Sequence, residues 1–512
     1  MIHFELIAAV GEILRRNARL YPEKLAFEDK SRAVSYDQLN AETENLASQL
    51  VALGLRKGQK VAIFLPNSVN WVVSCLATVR AGGVAVPVSI DSTDAELSYR
   101  ITDADCAFAF VQSARRQSGE ALMRNLGRST VLITEGPECD LPDFATLTKT
   151  RASEFEDDCD IDRPAYIVYT SGTTGQPKGV LLSTRSMLWV TAACWAPITG
   201  LNDKDVVLNT LPLYHSYALN VAVLSIIATG ASEYIMEKFS TSHATELLRT
   251  GRFTFMPGVP TVFHYFLSAC QTSGEKLLSS VRLCVSAGAI MPGTLNQDFE
   301  EFFGVPLLDG YGITETSTMV TMNWPGKWRV PGSCGLPLPG LTARLVDPKT
   351  GADVPFGTEG ELICKGPNLM QGYHNKPQET QKAIVDGWYH TGDLARSDAN
   401  GFLTITGRLK ELIIRGGQNI APAEVEETIL LLEAIMDCAV IGMPHPMLGE
   451  VPVACVVLKS SAKFEEGELI SHCKDRLSAY KVPDRIFIVS EIPRTGSGKI
   501  LRVKLRESLP TA

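Results

Sequence analysis

The sequence contains no Cys-x-x-C pair and no Cys/His cluster at zinc spacing. Its 12 cysteines are scattered singly, which argues against both a structural zinc site and a disulfide framework. Single cysteines are commonly buried as small hydrophobes, and Cys284, inside Val-Arg-Leu-Cys-Val, has that setting. No uninterrupted apolar run approaches the roughly 20 residues that cross a bilayer, so no integral membrane segment is expected. The opening Met-Ile-His-Phe-Glu-Leu lacks the basic stretch and apolar run of a secretory signal. With the unpaired cysteines, this points to a reducing, cytoplasmic setting. Positive charge is also in deficit. A formal net charge of -9 disfavours nucleic acid or an anionic membrane as partner and leaves room for a local basic groove only. Internal repeats and low-complexity linkers are missing too.

What is present is a long chain of ordinary globular composition. Its 512 residues, 45% hydrophobic and 21% charged, exceed one domain and imply two or more units, each with its own core. The first 400 or so residues alternate apolar strand-like runs with helical stretches. Residues 61–65 and 84–88 read as strands around a helix at 69–81 that Gly82-Gly83 ends. This β-α-β grammar predicts parallel sheet covered by helices. Residues 165–169 form another predicted strand, and Ser183 suits the N-cap of a helix through Met187 and Trp189. From about Gly340 the pattern shifts to short strands at 343–346, 360–364 and 402–405, a small β-rich subdomain. After Arg408 the remainder reads as a separate α+β unit, with a helix at 423–432 and strands at 438–441 and 453–458. The expected fold class is therefore α/β. A large N-terminal domain (1–409) joins a small C-terminal α+β domain (410–512) through a short hinge near Lys410.

Five segments carry chemistry. The first is Tyr169-Thr170-Ser171-Gly172-Thr173-Thr174-Gly175-Gln176-Pro177-Lys178-Gly179. Its glycines let backbone N–H groups approach an anion, and hydroxyls with one ammonium complete a polyphosphate cradle. A polar surface turn favours the same residues. It is not a Walker A loop, because Pro177 stands where that motif needs glycine before the lysine. The others are Asp309-Gly310-Tyr311-Gly312-Ile313-Thr314-Glu315-Thr316, Trp388-Tyr389-His390-Thr391-Gly392-Asp393, the stretch from Gly407-Arg408-Leu409-Lys410 through Arg415-Gly416-Gly417 to Glu424, and Pro493-Arg494-Thr495-Gly496-Ser497-Gly498-Lys499. Alone, each has a plainer explanation: a Gly-Tyr-Gly or Thr-Gly-Asp turn, a strand with a Gly-Gly turn, a solvated lysine.

Together, in this order and over nearly the whole chain, the five segments resemble the adenylate-forming superfamily. That superfamily comprises acyl-CoA synthetases, aryl-CoA ligases, peptide-synthetase adenylation domains and luciferases. The resemblance implies an ATP site made of Thr170, Ser171, Gly172, Thr173, Thr174, Gly175 and Lys178 from the first segment and Asp309, Gly310, Tyr311, Gly312 and Thr314 from the second. Asp393, Arg408 and Lys499 complete it. Tyr311 would stack on adenine, Thr314 would meet phosphate, and Asp393 would accept both ribose hydroxyls, a task suited to a carboxylate's two oxygens. Glu315 would bind Mg²⁺, a hard cation that usually takes one or two carboxylates plus nucleotide phosphates. Thr170, Glu315 and Lys499 would be catalytic, Lys499 contacting the carboxylate and the α-phosphate. His215, Tyr217 and Gly288 would line the acyl pocket, although His215 equally suits a hydrogen-bonded histidine near the core. Lys410 would be the hinge, and Gly416 and Gly417 would line a passage for the pantetheine of coenzyme A.

The implied activity is that of an acid–thiol ligase. ATP activates a carboxylic acid as its adenylate with release of pyrophosphate, and the acyl group then passes to coenzyme A with release of AMP. Loading a separate acyl carrier protein is the nearest rival, and a non-catalytic nucleotide-binding relative is another; Glu315, Asp393 and Lys499 argue against the latter. The run Ser216-Tyr217-Ala218-Leu219-Asn220 lacks the aspartate with which amino-acid-activating relatives hold an α-amine. The pocket stretches 214–220, 256–261 and 286–290 hold no arginine for a second carboxylate. A fatty or aryl monocarboxylic acid is thus the expected substrate.

Overall fold

In the computed structural model, the helix Val69–Arg80 starts at Ser68, whose side chain accepts a hydrogen bond from Trp71 N. This satisfies one of the N–H groups that a helix start leaves unpaired. The helix is almost wholly buried, between the helices Val10–Leu20 and Tyr36–Ala52 and the strands Lys60–Phe64 and Val84–Pro87. Ser183 caps Thr184–Val190 in the same way through Ser186 N. The structure describes residues 1–112, 131–135, 143–152, 155–170, 177–326, 328–416, 418–459, 464–495 and 498–510.

A seven-stranded and a nine-stranded sheet form the large N-terminal part. In the first, Val131–Glu135, Cys106–Gln112, Lys60–Phe64, Val84–Pro87 and Pro164–Thr170 run parallel, and Lys178–Ser183 returns antiparallel. In the second, six parallel strands include Val206–Asn209, Phe255–Gly258, Leu283–Ser286 and Leu307–Tyr311, with antiparallel strands at both edges. The parallel reading thus describes the sheet centres. A hydrophobic core around Trp71, Trp195, Phe263 and Val285 lies with the helices that cover these sheets. A small antiparallel sheet follows, from Thr342–Val346, Gly360–Lys365, Ile384–Val385, Trp388–Ser397 and Leu403–Arg408.

The C-terminal part is α+β. A five-stranded sheet is covered by helices Pro422–Leu430, Glu466–Arg476 and Arg502–Ser508. Its central hairpin, Ile435–His445 with Gly449–Leu458, is longer than the apolar runs at 438–441 and 453–458 suggest. Ladder pairing carries it on through Pro444 and His445, where no apolar pattern marks it. Val440 packs in one hydrophobic cluster and Ala439 in another, so the strand is covered on both faces. Gly416 follows the strand Ile413–Arg415. It has φ of +56° in the turn between Ile413–Arg415 and Gln418–Ile420, the left-handed region glycine enters freely. One turn of 3₁₀ helix, Leu409–Glu411, is all that separates the small sheet from the C-terminal one.

Candidate active site

Parallel strands deliver their C-terminal ends to one side of a sheet, where open α/β folds bind ligands. Leu307–Tyr311 ends in this way, and its Asp309-Gly310-Tyr311 lines a cleft of about 710 Å³ with Gly312, Gly288, Asp393, Arg408 and Lys499. The cleft therefore gathers residues from four of the five motif segments, together with Gly288. A Cβ on Gly312 would collide with the Thr318 carbonyl, so glycine lets the backbone fold back on itself there. Burial pushes the Asp309 carboxyl well above the carboxylate range, and its Oδ1 has no hydrogen-bond partner among the described residues.

Asp393 is held from several directions. The Tyr311 hydroxyl donates to its Oδ2, Arg408 Nε lies 2.6 Å from Oδ1, and Asp393 N donates to Thr391 Oγ1. Glu361, on the neighbouring strand, accepts from Gly392 N at 3.1 Å and pairs with His390 Nδ1 at 3.0 Å. It thereby fixes the irregularity within the strand Trp388–Ser397, where Gly392 has φ of +69°.

On the phosphate side, the hairpin of Pro164–Thr170 and Lys178–Ser183 sets Thr170 opposite Lys178. Ser171, Gly172, Thr173, Thr174 and Gly175 lie outside the described residues, as does Gly417. Lys178 Nζ is 2.7 Å from Glu379 Oε2 and 4.9 Å from the centre of the Tyr373 ring. The Tyr373 hydroxyl donates to Glu315 Oε1 at 2.9 Å. Thr314 is buried, its hydroxyl 3.0 Å from that of Ser216.

Lys499 reaches the cleft from a short C-terminal hairpin. Thr495 N donates to Lys499 O, Lys499 N donates to Thr495 Oγ1, and Arg494 spans the turn to Gly498 O while pairing with Asp437 at 2.7 Å. Burial, reinforced by the charge of Arg408, lowers the Lys499 ammonium below its ordinary pKa, and Asp393, Glu315 and Glu411 oppose that shift. The lysine thus shares a field with groups from three other motifs. His215 is close enough to feel it: burial, and then Lys499, hold the imidazole neutral down to about pH 3. Its Nδ1 accepts from Tyr217 N.

Tyr217 is buried and stacks on Trp195 with centroids 6.0 Å apart. Trp195 Nε1 donates to Asn220 Oδ1 at 2.6 Å. Thr170, Lys178, His215, Tyr217, Thr314 and Glu315 do not line the cleft; nor do Lys410, which is exposed, and Gly416, which packs near Leu448. Glu361, Tyr373, Glu379 and Arg494 were missed as functional candidates. The first three lie outside the five segments, and only the fold carries them to their partners. Arg494 sits inside a segment whose lysine drew all the attention.

Among the described residues no helix is long and apolar enough to cross a membrane. Comparison with known proteins gives a match to the AMP-binding enzyme family over residues 14–374 and to the AMP-binding enzyme C-terminal domain over 424–499. The chain is 33% identical over 506 residues to the sulfoacetate–CoA ligase of Cupriavidus necator, covering 98% of each. It is 32% identical over 524 residues to a long-chain-fatty-acid–CoA ligase of Bacillus subtilis, covering 97% of this chain and 93% of that one. The crystal structure of the anthranilate CoA ligase AuaEII with anthranoyl-AMP superimposes with a TM-score of 0.91 at 27% identity, covering 98% of this chain and 97% of that one. The first of these matches alone covers more than half of the chain, and the chain is an enzyme of the AMP-binding, adenylate-forming acyl-CoA synthetase family.

Proposed function

We propose that this enzyme joins a fatty or aryl monocarboxylic acid to coenzyme A through an acyl-adenylate. The observation that carries the reading is that Lys499 lines one cleft with Asp393 and Arg408 and feels the charge of Glu315. The substrate carboxylate attacks the α-phosphorus of ATP in line, and pyrophosphate leaves. Lys499 holds its ammonium beside the oxygens that gain charge, the kind of preorganised stabilisation that dominates such steps. Asp393 exchanges its present partners for the ribose hydroxyls, Tyr311 offers its ring to adenine, and Lys178 with Thr170 meets the phosphates. In the second half-reaction the thiol attacks the acyl carbon and AMP leaves.

Among the described residues, no group of three or more His, Cys, Asp or Glu could cage a metal. That fits Mg²⁺, which keeps waters and phosphates as most of its ligands. Glu315 would hold it, and it would supply charge neutralisation on the phosphates. Residues 410–512 turn as a unit about Lys410 between the half-reactions, bringing Gly416 and Gly417 to the adenylate. The named relatives act on acids as different as sulfoacetate, long-chain fatty acids and anthranilate. The preference for an uncharged acyl group therefore rests on the arginine-free pocket stretches. The described cysteines are unpaired, which supports work in the cytoplasm.

The test is a panel of fatty, aryl and dicarboxylic acids assayed for acid-dependent pyrophosphate release. Coenzyme A and a phosphopantetheinylated carrier protein are then compared as acceptors. Release of ADP, or preference for the carrier or for dicarboxylates, would overturn the corresponding part.

A further inference from the structure

The segment 372–383 joins two parts of the site that lie far apart in sequence. Gly372-Tyr373 pairs with the Lys178–Ser183 strand, and the helix Pro377–Ala383 follows at once. Tyr373 N donates to Thr380 Oγ1 at 2.9 Å, so strand and helix are tied together and present two side chains toward the site. Tyr373 gives its hydroxyl to Glu315 and its ring to Lys178, while Glu379 gives its carboxylate to Lys178. The Lys178 ammonium is therefore engaged by a carboxylate to which the reaction proposed above gives no part.

We propose that Glu379 is a positioning residue that holds Lys178 while the site is empty and takes it back when pyrophosphate leaves. Arriving phosphates compete with Glu379 for one ammonium, so the carboxylate weakens the binding of ATP and of pyrophosphate together. The hydrogen bond from Lys178 lowers the Glu379 carboxyl below its ordinary value, keeping it charged at neutral pH. Glu379 is 40% exposed and Lys178 25%. A pair so open to water makes a weak catch, as an exchange repeated in every turnover requires. Tyr373 completes the device: its ring faces the lysine and its hydroxyl the Glu315 carboxylate, so the ammonium stays beside the site when it lets go of Glu379.

This rests on the phosphate role given to Lys178 above, and the experiment separates the two. ATP KM, kcat and the inhibition constant of pyrophosphate are measured for the wild type, Glu379→Gln, Glu379→Asp, Lys178→Met and the double variant Glu379→Gln/Lys178→Met. Glu379→Gln should lower ATP KM and the pyrophosphate inhibition constant by a similar factor, about two- to fivefold for a partly exposed pair. Glu379→Asp should return both toward wild type. In the Lys178→Met background the Glu379→Gln effect should vanish, since a double-mutant cycle isolates the pairwise term. A rise in ATP KM with Glu379→Gln, or an equal effect with and without Lys178, would overturn the proposal and leave the lysine's role intact. An unchanged ATP KM in Lys178→Met would overturn both.

Discussion

The proposed nucleotide bed and the lysine hairpin are built on opposite plans. In the bed, Asp393 is buried and gripped by Tyr311, Arg408 and Thr391 at once, and Glu361 braces the strand irregularity beside it. These supports come from the second large sheet and the small antiparallel sheet. The hairpin that carries Lys499 is braced by its own unit, through Arg494 to Asp437 and through Arg502 to Glu411 and Glu426. The hydrophobic clusters follow the same division. The buried members of those beneath the bed end at Leu403, those of the C-terminal sheet begin at Ile413, and none is shared. Between the units lies a cleft with Asp393 and Arg408 on one side and Lys499 on the other. A bed must be rigid before its ligand arrives, because preorganisation avoids reorganisation at the moment of reaction. A cation braced by its own unit can be withdrawn without dismantling that bed.

Two substitutions break the comparison from opposite ends. Lys499→Ala should cut acid-dependent pyrophosphate release by about 10²-fold or more, the scale for removing one preorganised donor. Thioester formation from supplied acyl-adenylate should survive. Equal loss in both halves would mean that the lysine also holds the bed together. Lys410→Pro fixes φ near roughly -65° at the one-turn junction, and should leave adenylation intact while stopping transfer to coenzyme A. A folded variant that completes both halves would remove Lys410 as the hinge. Smaller in effect is Asp393→Asn. Losing a charge-assisted acceptor should raise ATP KM by about tenfold without changing the order of acids in the panel. A changed acid preference would shift Asp393 from the ribose to the acyl side.

The division between bed and hairpin was partly legible in the sequence. The β-α-β run at 61–88 gave the parallel centre of the seven-stranded sheet, because an apolar strand followed by a helix and another strand has few other solutions; the strands of the nine-stranded sheet were not located. Ser183 announced its helix because capping is local chemistry, written within three residues. The pairing of Tyr373 with Glu315, or of Glu361 with Gly392, is not local. It depends on which strands become neighbours, and no spacing in the chain records that. The long Ile435–His445 strand was underread for a similar reason, since its end is held by ladder pairing and not by apolar side chains. Thr314 is a further case. A motif named it for phosphate, and nothing in the motif records that its hydroxyl lies 3.0 Å from that of Ser216.

The finest test is the pH dependence that burial imposes on Lys499. Its pKa in the folded protein lies below the ordinary 10.5, first from burial and then from Arg408. The ammonium is the useful form, so kcat/KM for adenylation should fall as pH rises through the lowered value, on an alkaline limb below 10.5. The thioester half-reaction should lack that limb, and Lys499→Arg should move it upward, because a guanidinium stays charged. His215, neutral down to about pH 3, should add no acid limb near neutrality. Stability carries the opposite sign. Between the lowered pKa and 10.5 the unfolded chain binds more protons at this lysine than the folded one, so this group makes the fold more stable as pH rises. Adenylation should therefore weaken over a range in which Lys499 does not lower the melting temperature. If the melting temperature falls in step with the rate, and Lys499→Arg leaves the limb where it was, alkaline unfolding and not the lysine proton sets the profile.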